Sequence, residues 1–156
     1  MSGQMAPEIK GVELYQLQRH VDERGWLYEI LREDAPHFRG FGQVYIAMCR
    51  PGIIKAWHAH VRQWDHFCVI RGTAKVGLFD DREGSPTKGK GMSVVMSGCQ
   101  PALLSIPPRV WHGQMALGAE ESWLLNIPTK PYDRKNPDEL RKPPDHFPFQ
   151  WEPHSG

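Results

Sequence analysis

Helical periodicity is scarce in this chain of 156 residues. No window repeats apolar residues at helical spacing, which argues against a helix bundle or an α/β architecture. Cysteine is sparse as well: Cys49, Cys68 and Cys99 show neither CxxC spacing nor an even set. A disulfide framework is therefore not expected, and the three read as small buried hydrophobes. No apolar run approaches the ~20 residues that a membrane helix needs. The net charge of +1 lacks the basic excess of a phosphate-reading surface, so a nucleic acid polymer is not the expected partner. The opening MSGQMAPEIK has no apolar stretch of signal-peptide type, which leads to the expectation of a cytoplasmic protein.

Short strands fill the chain instead. Residues 12–17, 26–31, 43–49, 55–60, 66–79, 93–96, 103–106, 110–117 and 123–127 all read as strand segments, punctuated by glycine and proline. Gly72, between two apolar runs, reads as the turn of a hairpin. Many short strands between turns predict a sandwich or barrel. Residues 1–10 are expected to be mobile, 11–128 to form one barrel domain, and 129–156 to be a proline-rich segment packed on it through Phe147, Phe149 and Trp151. Two local exceptions are a turn over 34–38 and a short helix from Asn136, with Pro137 at its first position.

Eight histidines are a generous supply, and their placement is informative. In a strand, residues two apart share a face, so His58 and His60 project together while Trp57 and Ala59 take the other side. Asp65 follows after a short connection, and His112 lies on a later strand. Three imidazoles and a carboxylate suit a divalent transition metal. The same groups suit acid–base chemistry, because histidine titrates near neutral pH. They also fit a core of satisfied histidines.

The spacing resembles the cupin pattern, with Gly52, His58, His60, Asp65 and Gly72 at the places of its first segment. Pro107 and His112 fit the second, where Arg109 replaces the usual glycine. A narrower resemblance is to the dTDP-4-dehydrorhamnose 3,5-epimerase family. "DERGWLYE" (22–29), "QVYIAMCRPGIIKAWH" (43–58), "DDREGSPTKGK" (80–90) and "IPPRVWHG" (106–113) resemble that family's segments in the same order. The resemblance implies an all-β cupin jelly-roll barrel, a homodimer that exchanges N-terminal strands, a nucleotide-sugar ligand and no metal cofactor. It places His58 as the base that takes a proton next to a ketone. Arg24 and Glu29 would reach the nucleotide of the neighbouring subunit, Lys55 would face the diphosphate, and Gln43 and His112 would line the pocket. The family's proton-donating tyrosine falls in a stretch that reads Trp123-Leu124-Leu125-Asn126 here, with Leu125 at its place. Lys55-Ala56-Trp57-His58-Ala59-His60 also resembles the Arg-Gly-x-His-Ala-His motif of dTDP-sugar 3,4-ketoisomerases, which pair two histidines with a tyrosine. Tyr45 lies on a preceding strand and is the candidate acid.

The expected activity is therefore epimerisation or isomerisation of a dTDP-4-keto-6-deoxy sugar, with His58, His60 and Tyr45 as the reactive set. Two alternatives remain open on the sequence. One is a metal-dependent cupin with His58, His60, Asp65 and His112 as ligands. The other is a sugar-binding cupin without catalysis.

Overall fold

The computed structural model describes residues 8–155, and none of them is helical. Residues 1–7, most of the stretch expected to be mobile, lie outside the described residues. Ile9, within that stretch, is fully buried. Twelve strands follow in chain order: β1 (Glu13–Gln16), β2 (His20–Asp22), β3 (Gly25–Leu27), β4 (Tyr45–Cys49), β5 (Ile54–Ala59), β6 (Asp65–Arg71), β7 (Thr73–Asp80), β8 (Gly91–Ser97), β9 (Ala102–Ile106), β10 (Val110–Ala116), β11 (Ser122–Asn126) and β12 (Leu140–Arg141). They form two five-stranded antiparallel sheets, ordered β1-β9-β6-β11-β4 and β12-β5-β10-β7-β8, plus the small β2-β3 hairpin.

Alternation explains the layers. Leu14, Phe67, Val69, Val76, Leu78, Val94, Leu104, Ile106 and Leu124 form one buried cluster from strands of both sheets. A second cluster joins Trp57, Ala59, Phe79, Trp111 and Met115 to Phe147 and Trp151 of the C-terminal segment. Phe147 stacks on Phe79 at 4.2 Å between ring centroids. The buried Lys75 ammonium donates to the carbonyls of Gln150 and Trp151, which fastens the same segment.

Three local expectations change. Gly72 does not turn a hairpin. It carries the chain from β6 in one sheet to β7 in the other, at a φ of 71°, and an added Cβ would meet the Glu121 carbonyl at 2.3 Å. The strand expected over 26–31 stops at Leu27, where the pairing with β2 ends. The helix expected from Asn136 does not form: the chain bends over 134–136 and then enters β12, which pairs with β5. A five-residue helix is marginal by itself. The open edge of β5 and the backbone N–H groups of residues 61–63 offer that segment more hydrogen bonds than one helical turn would.

Candidate active site

His58 and His60 leave the β5 edge on the face opposite Trp57 and Ala59 and enter one cleft between the sheets. Its inner part, about 200 Å³, is lined by His58, His60, His112, Gln114 and Lys55 on one side and by Asp65, Tyr45, Ala47, Phe67 and Leu124 on the other. A wider mouth of about 480 Å³ shares Tyr45, His60 and Glu139 with it and adds Gln43, Lys130 and Tyr132.

Strict alternation would aim Lys55 with Trp57, away from His58. The register prevents this. His112 pairs with His58 and Gln114 with Lys55, so three steps on β5 match two on β10. The extra residue is a bulge, which returns Lys55 to the face of the histidines. Gly113 makes room for it: a Cβ there would lie 2.4 Å from that of Ala56.

The C-terminal segment completes the cleft. Pairing of Leu140 with Ala59 brings Glu139 and Asp138 beside the histidines. Glu139 Oε1 lies 3.1 Å from His58 Nδ1. The carboxylate holds the proton on Nδ1 and leaves Nε2 as the free basic nitrogen. Burial pushes the His58 pKa down, His112 adds to this, and Glu139 pulls only partly the other way. His58 is therefore an uncharged imidazole at neutral pH.

His60 is held in the opposite state. Its Nδ1 faces the carbonyl of Asp138 at 2.5 Å, and its Nε2 lies 3.1 Å from Asp65 Oδ2. Both neighbours are acceptors, so both ring nitrogens carry protons. Burial lowers its pKa, but Asp65 and the Asp138 carbonyl outweigh that and raise it to about 9. Asp65 is 1% exposed and also lies 3.0 Å from His112 Nε2. Burial favours its neutral form, yet His112 and His60 together hold it well below the usual carboxylate range. Gln63 donates to its other oxygen at 2.7 Å. The Asp138 carboxylate accepts from the backbone N–H groups of Val61, Arg62 and Gln63, which fixes the loop after His60.

The four-ligand metal set of the alternative reading is not assembled. The ligand atoms of His60, Asp65 and His112 lie within 4.8 Å of one another, a group that can hold a divalent cation, but His58 is turned to Glu139. The same Nε2 atoms of His60 and His112, at 3.1 and 3.0 Å from Asp65 Oδ2, also lie within ion-pair distance of that carboxylate without any metal between them.

Tyr45 reaches the cleft from β4, in the sheet opposite β5. Asn126, wholly buried and paired in register with Tyr45, donates its amide to the phenol oxygen at 2.9 Å. The hydroxyl proton is thereby free to point elsewhere. Burial and the charge of Asp65 raise the Tyr45 pKa, so the phenol stays protonated. On β11 the buried side chains are Ser122, Leu124 and Asn126, and Leu125 alternates to the other face. Asn126, not Leu125, is the residue that this strand sends to Tyr45.

Lys55 lines the cleft with its ammonium on the Met48 carbonyl at 2.6 Å. Gln43 lines the mouth and accepts the Tyr132 N–H at 3.2 Å. Arg24 and Glu29 lie outside the cleft of their own chain. Arg24 pairs with Asp22 in the hairpin, and Glu29 pairs with Arg32. Glu139, Asp138, Asn126 and Gln114 were not singled out from the sequence. Glu139 and Asp138 lie in a charged run that reads as solvated surface, and only the β12 pairing reveals their use.

Fold and cleft together define an all-β cupin whose cleft gathers two unlike histidines, acidic partners and a tyrosine. The chain belongs to the family described as polysaccharide biosynthesis C-terminal domain, which matches residues 20–140. It is similar to the probable low-salt glycan biosynthesis epimerase Agl13 of Haloferax volcanii, with 41% identity over 89% of this chain and 90% of that one. It is 38% identical to the spore coat polysaccharide biosynthesis protein SpsL of Bacillus subtilis, over 92% and 96% of the two chains. Among solved structures, a dTDP sugar isomerase from Desulfovibrio desulfuricans G20 superimposes with a TM-score of 0.87 and 33% identity, covering 94% of each chain. The jelly roll is that of dTDP-4-dehydrorhamnose 3,5-epimerases. The chain is an enzyme of this epimerase and isomerase class.

Proposed function

We propose that this protein epimerises a dTDP-4-keto-6-deoxy sugar by moving a proton at a carbon next to the ketone. The observation that carries this reading is His58, with Nδ1 on Glu139 and Nε2 free beside the cleft. Nε2 takes the proton from the acidic carbon, and the electron pair moves into the ketone to give an enolate. The fixed positive charge of His60 favours the developing oxyanion. Tyr45, across the cleft, gives its proton to the opposite face of the carbon, and its phenolate is reprotonated from solvent as His58 releases its proton. The cycle is redox-neutral and needs no redox cofactor. A positioned base contributes ~10²–10⁴-fold.

The same contacts favour epimerisation over 3,4-ketoisomerisation. His60 has both ring nitrogens engaged by the protein, which makes it a poor second proton carrier. Lys55 supplies charge for the diphosphate. Arg24 and Glu29 serve the cleft of a second copy in a homodimer. The hairpin that holds Arg24 exposes Val21, Trp26 and Leu27, at 72, 58 and 60%. A lone two-stranded hairpin with an apolar face calls for a cover. Three unpaired cysteines are in keeping with a cytoplasmic enzyme.

The test is incubation with dTDP-4-keto-6-deoxy sugars in deuterated water. Deuterium is expected at carbon 3 or 5 with the wild type and not with His58→Ala, while the variant still binds the nucleotide sugar. Loss of binding with the fold intact would make His58 a ligand-holding residue and overturn the role of base.

A further inference from the structure

Nearly every polar side chain on the inner cleft has a partner. Tyr45 is met by Asn126, Lys55 by the Met48 carbonyl, His58 by Glu139, and His60 and His112 by Asp65. Asp65 Oδ2 has those two rings within 3.1 Å but no aligned hydrogen bond, and Gln114 has no partner at all. Its side chain is 7% exposed, lines the inner cleft, and makes no hydrogen bond to any described residue. Its Oε1 is shut off from solvent without a donor. A buried amide left in that state costs free energy, and a core position would serve stability better with an apolar residue of the same shape. Such violations persist where a ligand supplies the missing partner.

Position and chemistry narrow that partner. Gln114 lies two residues beyond His112 on β10, on the same face, and pairs in register with Lys55. A buried carbonyl oxygen needs a donor. A ketone or a diphosphate has none at neutral pH. An ammonium group would be repelled by Lys55 next door. A hydroxyl donates to Oε1 and can also accept from Nε2.

We propose that Gln114 is a specificity-determining residue, which selects a sugar nucleotide carrying a free ring hydroxyl against one that lacks it. This assignment rests on the sugar-nucleotide reading of the cleft. A site built to bond a hydroxyl rejects the analogue without it, because its own polar group is then left unpaired. The bare protein carries that burden already, so removing the carboxamide does not destabilise it.

The experiment uses a parent dTDP-4-keto-6-deoxy sugar and analogues that each lack one ring hydroxyl. Dissociation constants and kcat/KM are measured for the wild type and Gln114→Leu, with the melting temperature of each protein. The wild type is expected to disfavour one analogue by about 10²-fold, and Gln114→Leu to treat that analogue and the parent alike. The melting temperature of the variant is expected to be equal or higher. Equal ratios for every analogue in both proteins would overturn the assignment, as would a lower melting temperature with a uniform loss across all sugars. A wild type that binds no such sugar would remove the function and this role together. A wild type that binds and exchanges deuterium without a hydroxyl preference would remove this role alone.

Discussion

At the scale of residues, two histidines two positions apart hold opposite protonation states because their acceptors differ. His58 meets one carboxylate at one nitrogen, whereas His60 meets acceptors at both. Glu139 raises the His58 pKa against burial and His112. Its removal in Glu139→Ala is expected to move the acid limb of kcat/KM to lower pH and to cut kcat by roughly 10–10²-fold, since the ring loses its orientation. An unmoved limb with normal kcat would deny Glu139 that part. His60 has a folded pKa of about 9, above the ~6.5 of an unfolded histidine. Its stabilising contribution is therefore complete below about pH 6.5 and is lost as pH rises through about 9. Chemical denaturation between those values is expected to show declining stability in the wild type and a flatter profile in His60→Gln. Asp65→Asn leaves two buried imidazoles without their carboxylate and is expected to cost about 3–5 kcal/mol in the same assay. The His-x-His pair and Asp65 were legible in the sequence through spacing alone. Their C-terminal partners Glu139 and Asp138 were not, because contacts between residues some eighty positions apart leave no local pattern.

At the scale of elements, β12 and the bulge in β5 make the site. β12 is only two residues long, yet it carries Asp138 and Glu139 to the cleft edge, and the aromatic segment behind it supplies the anchor. Phe147→Ala is expected to destabilise the protein by about 3–5 kcal/mol. Activity should fall before global unfolding, because Glu139 rides on the same segment. Simultaneous loss of activity and fold at every denaturant concentration would show the segment to be inseparable from the barrel. Most strands were readable from alternation and turn residues, within a few positions at their ends, while the short β2 and β12 were not. The β5 bulge was not: periodicity assumes an even register, and Lys55 changes face only because Gly113 lets Ala56 come close. The path of 136–141 into β12 was missed for a related reason. Its sequence carries helix-start signals, and the competing edge of β5 is contributed by residues far away in the chain.

At the scale of the whole molecule, one chain brings His58, His60 and Tyr45 to its cleft, but Arg24 of its hairpin pairs with Asp22 outside that cleft. In a homodimer with exchanged hairpins, mixing His58→Ala with Arg24→Ala subunits regenerates one intact cleft per mixed dimer. With random exchange, up to about a quarter of the sites should regain activity, while an inactive mixture of confirmed mixed dimers would show that Arg24 serves no partner cleft. The jelly roll was legible from motif order, whereas the second copy was implied by the resemblance and gains support here from apolar side chains left uncovered. Beneath all of these stands one physical condition: an uncharged imidazole beside a charged one in a single cleft. Nitrogen NMR of the histidine rings at pH 7.5 reads it directly. The expected result is a neutral His58 protonated at Nδ1 and a His60 protonated at both nitrogens. A charged His58, or a neutral His60, would contradict it.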